Sequence, residues 1–204
     1  MSLLVVDYGM GNLHSVRKAL SRIGVESSVG STPQEIAQAE KLLLPGVGHF
    51  SSAMKRLEDM NLVSALHQAV LERKAPILGI CLGLQLLTKF SEEGDAEGLG
   101  WIDATVRRFQ VEQGDVLRVP HTGWNTAVRK KESSLLAGTD ESSEYYFVHA
   151  YYVELNDPNS ALCETTYGRT FVSGVERGNI FGVQFHPEKS FDSGLRLLRN
   201  FAEM

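Results

Sequence analysis

Pro76-Ile77-Leu78-Gly79-Ile80-Cys81-Leu82-Gly83-Leu84-Gln85-Leu86-Leu87 changes character half-way along. Residues 76–80 are an apolar run without alternation, which suits a strand covered on both faces. From 82 to 90 apolar positions recur three and four apart, the spacing of a helix face. A strand passing directly into a helix is the repeating unit of an α/β sheet, and the residues upstream repeat it. Residues 3–6, 25–29 and 41–44 read as further strands. Residues 12–23, 50–60 and 62–73 read as the helices between them, the first with Asn12 as N-cap and Gly24 where a C-cap glycine sits. Right-handed crossovers gather such strands into one buried parallel sheet.

The second half has a different texture. Runs at 101–109, 116–119, 145–155, 161–166, 170–176 and 180–185 are strand-like and separated by Gly, Asn, Asp and Pro, which points to antiparallel additions to the sheet. A helix over about 193–201 closes the chain. No internal repeat, low-complexity tract or long linker interrupts the 204 residues, so one domain over 1–204 is expected.

Composition narrows the class of function. With 43% apolar residues, 22% charged residues and a formal charge of -5, the chain has an ordinary globular balance and no general affinity for nucleic acid. Two cysteines, Cys81 and Cys163, without a CxxC pair argue against a disulfide scaffold or a cysteine-rich zinc site. The amino terminus has neither a basic segment nor a long apolar one, so no secretory signal is expected. The most apolar stretch, 75–87, is too short for a bilayer and contains Gln85. The expectation is a protein of the cytoplasm, without membrane, metal or cofactor.

Gly79-Ile80-Cys81-Leu82-Gly83 places a thiol at the strand-to-helix junction, the arrangement of a nucleophile elbow with Cys in place of Ser. Small residues at 79 and 83 let the backbone turn sharply. The junction lies at the carboxyl end of the sheet, where open α/β folds bind ligands. The helix start favours thiolate, and the Leu82 N–H is placed for an oxyanion. Taken alone, the pattern fits a small buried cysteine equally well, so it needs a base. Of six histidines, His186 follows the run 180–185 in Phe185-His186-Pro187-Glu188. Pro187 keeps His186 extended, and Glu188 two residues on shares its face and can orient the ring. Read alone, that segment is more simply a strand ending at a turn; beside the elbow, the balance reverses. His149, alternating with Phe147 and Tyr151, is a competing base or a partly buried pocket residue. Pro45-Gly46-Val47-Gly48 after the strand 41–44 would lie beside the elbow, with N–H groups available for an oxyanion hole. Asp7-Tyr8-Gly9-Met10-Gly11-Asn12 is similar to a dinucleotide fingerprint but has His14 where the third glycine belongs.

Together, Pro45-Gly46-Val47-Gly48, the stretch from Gly79 to Gln85 and Phe185-His186-Pro187-Glu188-Lys189-Ser190 resemble the class I (triad) glutamine amidotransferase family over the whole chain. Asp7-Tyr8-Gly9-Met10-Gly11-Asn12-Leu13 and Pro120-His121-Thr122-Gly123-Trp124-Asn125 resemble, within it, the glutaminase subunits of imidazole glycerol phosphate synthases. The resemblance implies a flavodoxin-like, mostly parallel open sheet and a catalytic triad of Cys81, His186 and Glu188. It implies an oxyanion hole from Leu82, Val47 and Gly48, and a glutamine pocket from Gly46, Gln85, His149, Ala150 and Tyr151. It further implies a heterodimer with a (β/α)8-barrel synthase that receives the ammonia, with Asn12, Trp124, Asn125, Tyr146 and Lys189 near the interface. In such a pair the free subunit would be nearly inactive, because the 45–48 segment does not present its donors until the partner docks. The alternatives are a glutaminase serving another synthase (anthranilate, aminodeoxychorismate or pyridoxal phosphate), a catalytically silent regulatory subunit, and a cysteine protease.

Overall fold

The computed structural model describes residues 3–110 and 118–204. The first half alternates strands and helices: β1 (Leu3–Val6), α1 (Leu13–Arg22), β2 (Ser27–Gly30), α2 (Pro33–Gln38), β3 (Lys41–Gly46), α3 (Phe50–Asp59), α4 (Leu62–His67), β4 (Ile77–Cys81) and α5 (Leu82–Leu86). Then come β5 (Thr88–Ser91), β6 (Ala96–Glu97), β7 (Ile102–Arg108), β8 (His121–Thr126), β9 (Val128–Arg129), β10 (Glu144–His149), β11 (Tyr151–Leu155), β12 (Ala161–Tyr167), β13 (Arg169–Arg177), β14 (Ile180–Val183) and α6 (Phe191–Glu203).

Among the described residues twelve strands share one sheet, whose main path runs β2-β1-β3-β4-β14-β13-β11-β7-β5-β6. The five strands from β2 to β14 are mutually parallel, and β13, β11 and β7 continue the sheet in antiparallel fashion. β14 comes from the far end of the chain yet pairs with β4, Val183 opposite Ile80. That single pairing brings the residues after 183 beside Cys81. β10 and β8 form a separate two-stranded ribbon.

Uninterrupted apolar strands have the meaning expected of them. Leu42 and Leu44 belong to one core with α3 and α4, while Leu43, Leu78 and Ile80 belong to the core on the opposite face with α1 and α6. Lys41, the polar exception on β3, is buried, and its ammonium donates to the carbonyls of Phe201 and Ala202 at 2.9 and 2.7 Å. It thereby satisfies carbonyls that the end of α6 leaves without an intrahelical donor.

Several readings of the sequence are corrected. The helix over 82–90 ends at Leu86, and Thr88–Ser91 is strand β5, paired with β7. Thr88, with its hydroxyl turned back to the Gln85 carbonyl at 2.8 Å, marks the exit. The run 145–155 is two strands in different sheets, divided at Ala150. Helix α2 and strand β8 were not anticipated. Of the expected strand 116–119, residues 116 and 117 lie outside the described residues and the remainder is not strand.

Candidate active site

Cys81 ends β4 and caps α5 with φ 54° and ψ −109°. An L residue keeps such a backbone only where its surroundings hold it. The glycines on either side are set by close approach. A Cβ at Gly79 would lie 2.6 Å from the Gly83 carbonyl oxygen, and one at Gly83 would lie 1.8 Å from the Leu44 carbonyl oxygen. Crowding at 83 is therefore against β3, not only within the turn. The Cys81 sulfur is 3.7 Å from Gln184 Nε2 and 4.0 Å from the Val148 carbonyl oxygen.

His186 follows β14. Its backbone N–H donates to the Tyr146 carbonyl at 2.9 Å. A single 3-10 turn, Pro187–Lys189, carries Glu188 back to the ring, and Nδ1 meets Oε1 at 2.8 Å with both side chains only 2% exposed. The expected contact is made, but by a tight turn and not by an extended segment. Ser190 locks that turn to β10: its hydroxyl donates to the His186 carbonyl at 2.6 Å and accepts the Tyr146 N–H at 3.0 Å.

Burial alone pulls the His186 imidazole toward its neutral form. The Cys81 sulfur and the Glu188 carboxylate outweigh burial and lift its proton affinity well above the usual histidine range. An imidazolium at position 186 is the state this surrounding favours. With Nδ1 held by Glu188, Nε2 is the nitrogen left for the sulfur.

His149 is a different kind of histidine. It is buried, with Nδ1 2.7 Å from the Tyr151 carbonyl and Nε2 3.0 Å from His121 Nδ1. A carbonyl only accepts, so His149 carries its proton on Nδ1, and His121 donates to the Nε2 lone pair. Burial, with smaller contributions from His121 and His186, pushes His149 down to about 3, and burial pushes His121 down to about 4. Both nitrogens of His149 are occupied, and among the described residues no carboxylate touches it. His149 is thereby set aside as the base.

The remaining candidates fall in two places. Gly46 is registered opposite Cys81, so the 45–48 segment does lie beside the elbow. Its donors are not equivalent: the Val47 N–H turns to the Met10 carbonyl at 3.4 Å, whereas Gly48 takes φ +115°. The Leu82 N–H, first in α5, has no acceptor within the helix. Gln85 Nε2 donates to the Tyr151 carbonyl at 3.3 Å and to Gln184 Oε1 at 3.1 Å. The Ala150 carbonyl receives the Phe109 N–H. Trp124 and Tyr146 face one another across β8 and β10, the Lys189 ammonium lies 5.7 Å from the Tyr146 ring centroid, and the 41% exposed Trp124 stacks on Phe191. Asn125 and Asn12 have internal duties: Asn125 Nδ2 reaches the Thr166 carbonyl at 3.0 Å, and the Asn12 side chain caps α1. The glycine-rich segment before α1 is thus a turn, with the Gly9 N–H on the Asp7 carboxylate at 2.9 Å.

Three residues at the site were missed in the sequence. Gln184 is the polar residue in an otherwise apolar strand exit, and that interruption was its signal. Tyr8, fully buried, has its hydroxyl without a hydrogen-bond partner among the described residues, and burial plus the nearby Cys81 raise its proton affinity. His121 had no local signal, because its partner is on the opposing strand. Cys163 is inert: burial pushes its thiol up to about 12, and the Ser173 hydroxyl donates to it at 3.6 Å. Among the described residues no cluster of His, Cys, Asp and Glu could hold a metal, and no helix is long and apolar enough to cross a membrane.

A thiol on a strained strand–helix junction, facing an imidazole that a buried carboxylate orients, is equipped for acyl transfer through a thioester. The chain matches the glutamine amidotransferase class-I family over residues 4–204, and it belongs to that family. It is 45% identical to the imidazole glycerol phosphate synthase subunit HisH 2 of Pseudomonas aeruginosa over 202 residues, covering 99% of each chain. It is 42% identical to the subunit of the same name from Methanococcus maripaludis, covering 98% of each. Among solved structures, PurLQS from Thermotoga maritima superposes with a TM-score of 0.75 at 17% identity, covering 99% of this chain and 97% of that one. At that identity the likeness speaks to the fold alone.

Proposed function

We propose that this chain is the glutamine-hydrolysing subunit of an imidazole glycerol phosphate synthase. It would act in the cytoplasm as a single domain over 1–204, in a heterodimer with a (β/α)8-barrel synthase. The observation that carries the chemistry is the Nδ1–Oε1 contact of 2.8 Å in a buried His186–Glu188 pair next to the elbow cysteine. The choice of synthase leans on the near full-length similarity to subunits of that enzyme.

Cys81 thiolate attacks the side-chain carboxamide carbon of glutamine, forming a C–S bond and an oxyanion. His186 passes its proton to the departing nitrogen, so ammonia leaves and a thioester remains. Neutral His186 then takes a proton from water, whose oxygen attacks the thioester. The C–S bond breaks, giving glutamate and the thiolate–imidazolium pair again. Leu82 N–H and the Val47–Gly48 backbone would stabilise the oxyanion, each donor contributing about 3–4 kcal/mol. Because the Val47 N–H is turned to Met10 at 3.4 Å, the free subunit should work slowly until the partner reorients that segment. Tyr146, Trp124 and Lys189 would meet the partner.

Replacing Cys81 by Ala in the assembled pair tests this reading. Glutamine-dependent formation of imidazole glycerol phosphate should disappear, while formation from added ammonium persists. Loss of both, or of neither, would refute it.

A further inference from the structure

Gln184 is fully buried between the proposed nucleophile and the glutamine-pocket residue Gln85, and nothing above gives it a task. Its backbone N–H is fixed by the Ser173 carbonyl at 2.9 Å. Its side-chain amide could in principle sit either way round, with oxygen or nitrogen toward the sulfur. The neighbouring groups remove that freedom. The Tyr151 carbonyl is an acceptor only, and Gln85 Nε2 lies 3.3 Å from it. The NH2 end of Gln85 is therefore the end that also faces Gln184, and it needs an acceptor there. Gln184 must present Oε1 to Gln85, at 3.1 Å, which leaves Nε2 aimed at the Cys81 sulfur at 3.7 Å. The same Tyr151 carbonyl also receives His149 Nδ1–H, so its position is held from β10 as well.

We infer that Gln184 is a further residue of the acyl-transfer centre: an oriented amide N–H donor to the Cys81 thiolate, its orientation dictated through Gln85 by the Tyr151 carbonyl. The inference rests on Cys81 being the nucleophile. An N–H donor strengthens as sulfur becomes anionic, so it favours thiolate over thiol. It also stays with the sulfur when ammonia departs and when the thiolate is regenerated. His186 gives up its charge between those steps, so the amide is a fixed donor where the imidazole is a variable one. A merely structural amide would leave the reactivity of the sulfur unchanged.

The experiment alkylates the full-length chain with iodoacetamide, which reports thiolate and needs neither oxyanion hole nor partner. Gln184→Met keeps length and loses the donor. Gln184→Glu keeps shape and puts a carboxylate toward the sulfur. Both are checked by thermal melting, and Cys81→Ser subtracts any reaction at Cys163. Loss of one hydrogen bond to a charged acceptor should slow alkylation at neutral pH roughly tenfold in the Met variant and more in the Glu variant. The pH–rate profile should move to higher pH in both. Alkylation within twofold of wild type in either folded variant, with an unmoved profile, would overturn the inference. Failure of the underlying reading looks different: the assembled pair would then still hydrolyse glutamine with Cys81 replaced by Ala.

Discussion

Gly83→Ala puts one methyl group where the structure has least room. Its Cβ would lie 1.8 Å from the Leu44 carbonyl oxygen, against the 3.0 Å below which real Cβ contacts are not found. Either α5 lifts from β3 by about 1.2 Å or β3 gives way by the same amount, and interior atoms resist both. Overpacking of this kind costs about 1–3 kcal/mol of stability. The functional loss should be larger than the stability loss suggests. Leu82 and Cys81 move with α5, so the sulfur and its oxyanion donor are displaced together from His186, which follows β14. A misplacement near 1 Å is worth roughly 10²-fold in turnover. Urea unfolding of the free subunit gives the first quantity. Glutamine-dependent and ammonium-dependent synthesis by the assembled pair give the second, with the ammonium rate expected to be unchanged. A variant with wild-type urea midpoint and wild-type glutamine turnover would show that the approach of α5 to β3 is not what holds the elbow.

Other outcomes follow from the same geometry. Glu188→Gln removes the charge that orients and supports the imidazolium, and kcat with glutamine should fall roughly 10²–10⁴-fold with ammonium-dependent synthesis intact. Trp124→Ala deletes the exposed ring that stacks on Phe191; titration with the synthase subunit should show binding weakened by about 2 kcal/mol, without loss of subunit stability. Buried His121 and His149 have folded-state values pushed down to about 4 and about 3. Their contribution is complete above the unfolded value near 6.5 and is lost as pH falls toward 4, because only the unfolded chain takes up protons there. Each costs about 1.4 kcal/mol per pH unit in that window. His186 is shifted the other way, so its contribution is lost on the alkaline side and does not compensate. The urea midpoint measured from pH 7 to 4.5 should drop steeply, and His121→Gln should flatten the slope.

The sequence disclosed what depends on neighbours along the chain. Apolar runs at β1, β3 and β4 and the helix periods between them needed only local pattern, as did the thiol between two glycines. What it hid depends on distant partners or on weak local signals. The leucines from 82 to 87 give no period that could show the helix stopping at Leu86, since the strand that captures Thr88 is β7, more than ten residues on. His121–Thr126 contains Gly123 and four polar residues, a poor strand by propensity, and becomes β8 because β10 pairs with it. Helix α2 was legible, with Thr32 and Glu35 in a capping box and Pro33 opening the first turn. Its brevity hid it. At the site, Glu188 was foreseen beside His186 because two residues separate them, whereas Gln184, 103 positions from Cys81, could be placed only by the pairing of β14 with β4.

In this mechanism glutamine becomes covalently attached to one sulfur. Acid quenching of the assembled pair during turnover of carbon-labelled glutamine, followed by peptide mass spectrometry, reads this directly. A glutamyl thioester on the Cys81 peptide, absent from Cys163 and from a Cys81→Ala pair, is the predicted result. Continued glutamine hydrolysis with no adduct at Cys81, or with an adduct elsewhere, would contradict it.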